Sequence, residues 1–236
     1  GFYAGNYGGK LVPVPSRDFT FELDVDALIA AVTPRTRAVI LNSPHNPTGQ
    51  IYSRRELEVF GTRLAEAARN HNTEICLISD EPYRFLNFDN VEIPSLFSVY
   101  ANSVVIGSYS KNLSLAGERI GYVAVNPAMP DAEELIRAVT LTTRILGYVN
   151  APTVAQQILK SCIDSQVDLN VYRERRAAMA AVLDGAGIEY TMPRGAFYFF
   201  PRSPLADESR FIDKLVEERI LAVPGRGFGG PGYIRL

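Results

Sequence analysis

Cysteine and histidine are scarce in this chain, two of each in 236 residues. Cys76 and Cys162 lie far apart and neither belongs to a CxxC pair, which argues against a disulfide framework or a zinc site. With only His45 and His71 available, most metal-ligand sets and any Ser-His-Asp arrangement drop out as well. Long apolar runs are also missing: none reaches the roughly 18 residues needed to span a bilayer. Gly1-Phe2-Tyr3 shows neither the basic nor the apolar segment of a secretory leader, so the expectation is a cytoplasmic protein with no membrane partner. Nor is there an excess of one charge. The 24 basic and 26 acidic side chains leave a net charge of −2, and bases alternate with acids, as in Arg54-Arg55-Glu56. Nucleic-acid binding needs a Lys/Arg stripe, so no nucleic acid is expected as a partner. What remains is an ordinary globular composition, 47% hydrophobic. At roughly 150 residues per domain, the length fits one large domain or a domain and a half.

Strand and helix patterns alternate through the first half, the signature of a mostly parallel sheet sandwiched by helices. Residues 11–15 read as a short strand, 24–32 as a helix and 37–42 (RAVILN) as a buried strand. A helix over 53–70 follows, with Ser53 as N-cap and Glu56 three residues on, the spacing of a capping box. Strands are expected at 74–79 (EICLIS) and 103–109 (SVVIGSY), then helices over 131–146 and 152–183, the second broken near Ser165. The tail changes character, with strand-like runs at 189–192, 196–201 and 220–223 around a helix at 208–218. The expected division is a large domain over 1–169 and a smaller α+β domain over 170–236. No internal repeat or low-complexity segment is visible.

Three of these strands run into polar loops: Asn42 to Gly49, Asp80 to Tyr83, and Ser108 to Lys111. Open α/β sheets bind ligands beyond the carboxyl ends of their strands, so these loops are the place to look for chemistry. Lys111 follows Ser108 and Ser110 and precedes Arg119 by eight residues. Two hydroxyls and a guanidinium suit a phosphate monoester, and a lysine in a dry site can attack a carbonyl carbon. Taken alone, Lys111 also reads as a solvated surface lysine. Asp80, directly after an apolar strand, is a carboxylate whose partial burial calls for a cation, or else a turn residue. Tyr83 alone reads as a packed aromatic, and Asn46-Pro47-Thr48-Gly49 alone as a turn. Gly225-Arg226-Gly227-Phe228-Gly229-Gly230 fits G-x-G-x-x-G. The Pro231-Gly232 that follows it leaves no helix to receive a pyrophosphate, so it reads as a mobile glycine loop.

Together the motifs point to a family. Asn46-Pro47-Thr48-Gly49, Asp80-x-x-Tyr83, Ser108-x-Ser110-Lys111 and Arg119-x-Gly121 resemble, in order and approximate spacing, the motifs of the fold-type I pyridoxal-phosphate enzymes of the class I/II aminotransferase family. The stretch SYSKNLSLAGERIGYVAV, residues 108–125, is similar to that family's lysine segment, and Pro224-Gly225, Phe228-Gly229 and Tyr233-Ile234-Arg235 resemble its C-terminal glycine loop and carboxylate-binding arginine. The resemblance implies an α/β fold with a smaller α+β C-terminal domain, pyridoxal 5'-phosphate as cofactor, and an amino acid and a 2-oxo acid as substrates. It further implies a homodimer. Lys111 would hold the cofactor aldehyde as a Schiff base and shuttle the substrate proton. Asp80 would pair with the pyridine nitrogen, and Tyr83 and Asn46 would bond the 3'-oxygen. Ser108, Ser110 and Arg119 would hold the phosphate, and Arg235 would take the substrate carboxylate, beside Asn46. No metal is implied.

Family members are longer, and their upstream glycine-rich phosphate loop and ring-stacking aromatic have no counterpart in this sequence. The expectation is therefore a fragment, with both domains incomplete at their outer ends and weak cofactor capture by the chain alone. Two other functions share these residues: another fold-type I enzyme, such as a carbon-sulfur lyase or decarboxylase, separated by the product it forms, and a ligand sensor built on the fold.

Overall fold

A computed structural model describes residues 2–236. In the order of the chain its elements are α1 (Phe2–Gly5), α2 (Val25–Ala30), β1 (Ala38–Asn42), α3 (Arg54–Asn70), β2 (Cys76–Asp80) and β3 (Ser103–Ser108), followed by α4 (Tyr109–Asn112), β4 (Gly121–Val125), α5 (Ala132–Ile145), α6 (Thr153–Cys162), α7 (Leu169–Gly185), α8 (Glu208–Glu217), β5 (Val223–Pro224) and β6 (Ile234–Arg235). The main sheet has the order β1-β2-β3-β4, with the first three strands parallel and β4 antiparallel to β3. Among the described residues, no helix is long and apolar enough to cross a membrane.

The longest helix of the first half begins where its sequence says it should. Ser53 Oγ accepts the Glu56 N–H while the Glu56 carboxylate reaches back to the Ser53 N–H at 2.8 Å, closing the capping box. The same carboxylate accepts the Leu23 N–H at 3.2 Å and ties the segment entering α2 to α3. Apolar residues recur at helical spacing, so Leu57, Phe60, Gly61, Leu64, Ala67 and Ala68 line one buried face. Phe60 and Leu64 are fully buried in one cluster with Leu41 and Leu77 of the sheet and Ile75 just before β2, each stabilising by roughly 1.5–3 kcal/mol. Gly61 is required by the closeness of this packing, since a Cβ there would lie 2.9 Å from the Val99 carbonyl oxygen. Ser53→Ala is expected to lower stability by about 1 kcal/mol, read as a lower urea midpoint at unchanged slope. An unchanged midpoint would mean that the cap contributes nothing.

Pairing of Asn42 with Asp80, Asp80 with Ile106, and Ser108 with Gly121 sets the register at the carboxyl edge. One sheet face packs on α2 and α3, while the other leaves Ile40, Ile106 and Val123 exposed. The break expected near Ser165 falls between α6 and α7.

The strand expected at 11–15 is absent. Pro13 and Pro15 offer no N–H to a ladder, and Leu11 and Val12 stay exposed. The runs at 189–192 and 196–201 form no regular strand either. Ala196 takes a left-handed φ of 58° and Pro201 lacks a donor. Backbone pairing survives in pieces, with Phe199 and Leu236 exchanging bonds of 3.1 and 3.0 Å and Ile234 donating to Pro201 at 3.0 Å. Of 220–223 only Val223 enters a strand, because the end of α8 takes the residues before it: Arg219 is left-handed and the Ile220 N–H donates to Leu215 O at 2.7 Å.

Candidate active site

The carboxyl edge of the sheet gathers most of the expected site. Asp80 is the last residue of β2 and is half-buried. Its backbone oxygen accepts Asn42 Nδ2–H at 2.8 Å and its Oδ2 accepts the same amide at 3.3 Å. Burial, and then the neighbouring Glu81 charge, push the Asp80 carboxyl above its ordinary range. No Lys, Arg or His among the described residues forms an ion pair with it.

On the next strand, Ser108 ends β3 and caps α4. Its hydroxyl accepts the Ser110 N–H at 3.1 Å and donates to Ser110 Oγ at 2.8 Å. Lys111 is the third residue of that short turn, half-buried, with Nζ 5.8 Å from the centroid of the Phe197 ring. Arg119 sits just before β4, whose Gly121 pairs with Ser108, so its backbone reaches the same edge. Its guanidinium is directed elsewhere: Arg119 has a left-handed φ of 55°, is exposed, and donates to Ala116 O at 2.8 Å. Among the described residues no bond joins it to Ser108 or Ser110.

The loop after β1 is held from both sides. Asn42 Oδ1 accepts the Asn46 N–H at 2.7 Å, so one amide clasps both Asp80 and Asn46. His45 Nδ1 lies 2.8 Å from Thr48 Oγ1, and burial pushes this histidine down to about 4, which leaves it neutral at ordinary pH. Gly49 closes the motif because it has a φ of 71° and its carbonyl receives the Arg194 and Gly195 N–H groups at 3.0 and 2.9 Å. Any Cβ there would collide with Pro193 at 2.3 Å.

That clasp brings the C-terminal segment onto the sheet edge. Arg235, in β6, donates to Asn46 Oδ1 at 3.0 Å. Its guanidinium lies between two rings, 4.6 Å from Tyr198 and 4.5 Å from Phe228. Tyr83 is buried, and its hydroxyl meets that of Tyr198 at 2.9 Å. Burial, followed by this bond, raises the Tyr83 phenol; the charges of Arg235 and Asp80 also reach it.

The glycine run at 225–230 is a pinned turn rather than the expected mobile loop. Gly225–Phe228 form a 3₁₀ turn ended by left-handed Gly229. The Gly225 N–H donates to Tyr233 O at 2.8 Å, and Arg226 joins Glu208 at 2.7 Å and Asp207 at 3.0 Å. The Arg226 hydrogen bond holds the Glu208 carboxyl down to about 2. Among the described residues no three His, Cys, Asp or Glu side chains gather as a metal site.

Asn42, Phe197 and Tyr198 were not among the residues expected from the sequence, and Phe228 was expected only as part of the glycine loop. Asn42 lay inside the first polar loop and could have been found as the polar end of an apolar strand. Phe197 and Tyr198 carried no signal beyond that of core residues.

Three parallel strands with an antiparallel edge strand, flanked by helices, form the architecture of the fold-type I enzymes on which the chain superposes. The family model for aminotransferases of class I and II matches residues 3–236, and the chain belongs to that family. It is 30% identical to aromatic-amino-acid aminotransferase 2 of Thermococcus litoralis and 31% identical to an aspartate aminotransferase of Pyrococcus abyssi, in each case over 97% of this chain and 60% of the relative. An amino transferase structure from Eubacterium rectale superposes with a TM-score of 0.95 at 38% identity, over 100% of this chain and 59% of that one. An aspartate aminotransferase from Thermotoga maritima gives 0.83 at 30% identity, over 97% and 59%. The chain thus spans about 60% of the length of these relatives.

Proposed function

We propose that this chain carries the cofactor-holding centre of a pyridoxal 5'-phosphate-dependent aminotransferase, which moves an amino group between an L-amino acid and a 2-oxo acid. The observation that carries the reading is the pair at the ends of β2 and β3: Asp80, a desolvated carboxylate with no ion-paired cationic side chain among the described residues, beside the strand that delivers Lys111. A protonated pyridine nitrogen is the cation that this carboxylate lacks, so the donor set fits the cofactor. When bound, the cofactor supplies an electrophilic carbon and a ring that accepts electrons.

The roles of the residues follow. Asp80 keeps the ring nitrogen protonated. Lys111 would hold the cofactor through Nζ and, when its amine is free, would take up the proton from substrate Cα. Arg235 already occupies Asn46 Oδ1, which leaves Asn46 Nδ2–H to donate to the 3'-oxygen alongside Tyr83. Ser108 and Ser110 would present hydroxyls to the phosphate, and Arg119 would join them in a rotamer other than the one that donates to Ala116. Arg235 receives the substrate carboxylate as a two-pronged donor, with Asn46 beside it.

The same reading makes the whole protein a cytoplasmic homodimer. It also assigns residues 1–169 to cofactor holding and 170–236 to a smaller domain. The separate apolar clusters around Phe60 and around Leu183 and Phe199 support that division, although Phe21 packs with Phe200 and Tyr233. The direct test is reduction of the full-length protein with borohydride after incubation with pyridoxal phosphate, followed by peptide mass spectrometry. The adduct is expected on Lys111; its appearance on another lysine, or on none, overturns the reading.

A further inference from the structure

Phe197 and Tyr198 have no role in the chemistry above, yet they touch three of its residues. Phe197 packs edge-on against Tyr83 at 5.2 Å between centroids and faces Lys111 Nζ. Tyr198 packs edge-on against Tyr83 at 5.7 Å, meets its hydroxyl at 2.9 Å, and lies under the Arg235 guanidinium at 4.6 Å. One side chain therefore contacts both the phenol assigned to the cofactor oxygen and the guanidinium assigned to the substrate carboxylate.

We propose that Tyr198 is a positioning residue that couples the two halves of the site: its hydroxyl holds Tyr83 as a donor toward the cofactor, and its ring holds Arg235 for the substrate carboxylate. The inference rests on the proposed cofactor reading. A phenol carries one proton and can also accept. When Tyr198 donates to Tyr83, the Tyr83 proton is left to face the cofactor oxygen; in the reverse arrangement that proton is spent on Tyr198. The cation decides between them. A guanidinium over the face of a ring draws on its π electrons, which makes the Tyr198 hydroxyl the better donor of the pair. Phe228 adds a second ring 4.5 Å from the Arg235 guanidinium, while the bond to Asn46 fixes its direction. The titratable and charged groups facing the Tyr83 phenol are Tyr198, Arg235 from β6 and Asp80 from β2, while Lys111 of α4 faces the adjoining Phe197 ring.

Two substitutions separate the two contacts. Tyr198→Phe removes the hydroxyl and keeps the ring. A hydrogen-bond donor to the cofactor's 3'-oxygen favours its anionic form, so losing a fixed donor should raise the pH midpoint of the bound cofactor's visible absorbance by about 0.5 to 1 unit. The dissociation constant for pyridoxal phosphate should rise about fivefold, with KM for the amino acid changed less than about twofold. Tyr198→Leu also removes the ring, and KM should then rise on the order of tenfold. Tyr172→Phe, whose ring stacks on Phe197, serves as a control and should leave the midpoint in place. A purely structural role for Tyr198 would lower thermal stability without moving the midpoint. A wild-type protein that takes up no cofactor on Lys111 overturns the reading beneath the inference. A wild-type protein that loads normally, with Tyr198→Phe matching it in midpoint and dissociation constant, overturns the coupling alone.

Discussion

Lys111→Ala is expected to abolish covalent capture of the cofactor and to lower transamination by about 10⁴-fold, the upper range for loss of a positioned general base. That corresponds to about 5 kcal/mol of transition-state stabilisation. The cause is chemical rather than architectural. Lys111 lies on a half-buried turn held by Ser108 and Ser110, and its amine forms no ion pair among the described residues. Thermal stability of the cofactor-free variant should therefore match the wild type, while absorbance of the reduced adduct disappears. A small primary amine added to the assay should restore part of the rate by taking the place of the missing base. A variant that retains more than a tenth of wild-type turnover would show that another group moves the proton.

Asp80→Asn is expected to cost on the order of 10²-fold or more in rate, about 3 kcal/mol, while cofactor capture on Lys111 persists. The amide keeps the shape of the side chain and can still accept from Asn42, but it no longer holds the ring nitrogen protonated. The same variant should behave oppositely in the absence of cofactor. Burial raises the Asp80 carboxyl above its ordinary 3.8 in the folded chain. A raised folded-state acid costs stability once the pH exceeds its unfolded value, and the cost is fully present at neutral pH. The cofactor-free variant should therefore melt at or above the wild-type temperature near pH 7, with the difference vanishing below about pH 4, near the ordinary carboxyl value. Near-normal turnover, or a clear loss of cofactor-free stability at neutral pH, would count against the role given to this carboxylate.

The strand ends were legible because each is written locally. An apolar run followed directly by a polar residue marks Asn42, Asp80 and Ser108, and the parallel register then aligns Asn42 with Asp80 at one edge. The capping box at Ser53 and the spacing of Leu57, Phe60 and Leu64 were legible for the same reason, since helix periodicity and caps involve residues three or four apart. The tail was read less well. The pattern at 196–201 has the alternation of a strand, but a left-handed Ala196 and the missing donor of Pro201 leave only fragments of a ladder. The short strand at 11–15 failed because two prolines remove the donors that pairing requires.

By itself, the sequence determined the α/β class, the mostly parallel sheet and the three polar strand ends at Asn42, Asp80 and Ser108, the last leading to Lys111, because all of these follow from interactions between near neighbours. Only the tertiary structure decided that Arg235 would meet Asn46 across 189 residues, that Tyr83 would bond Tyr198 across 115, and that Arg119 would turn toward Ala116. Such contacts form when separately folded segments pack together. No local periodicity encodes which distant side chain fills the remaining hydrogen bond, and shape, burial and the competing partners at the packed edge settle it.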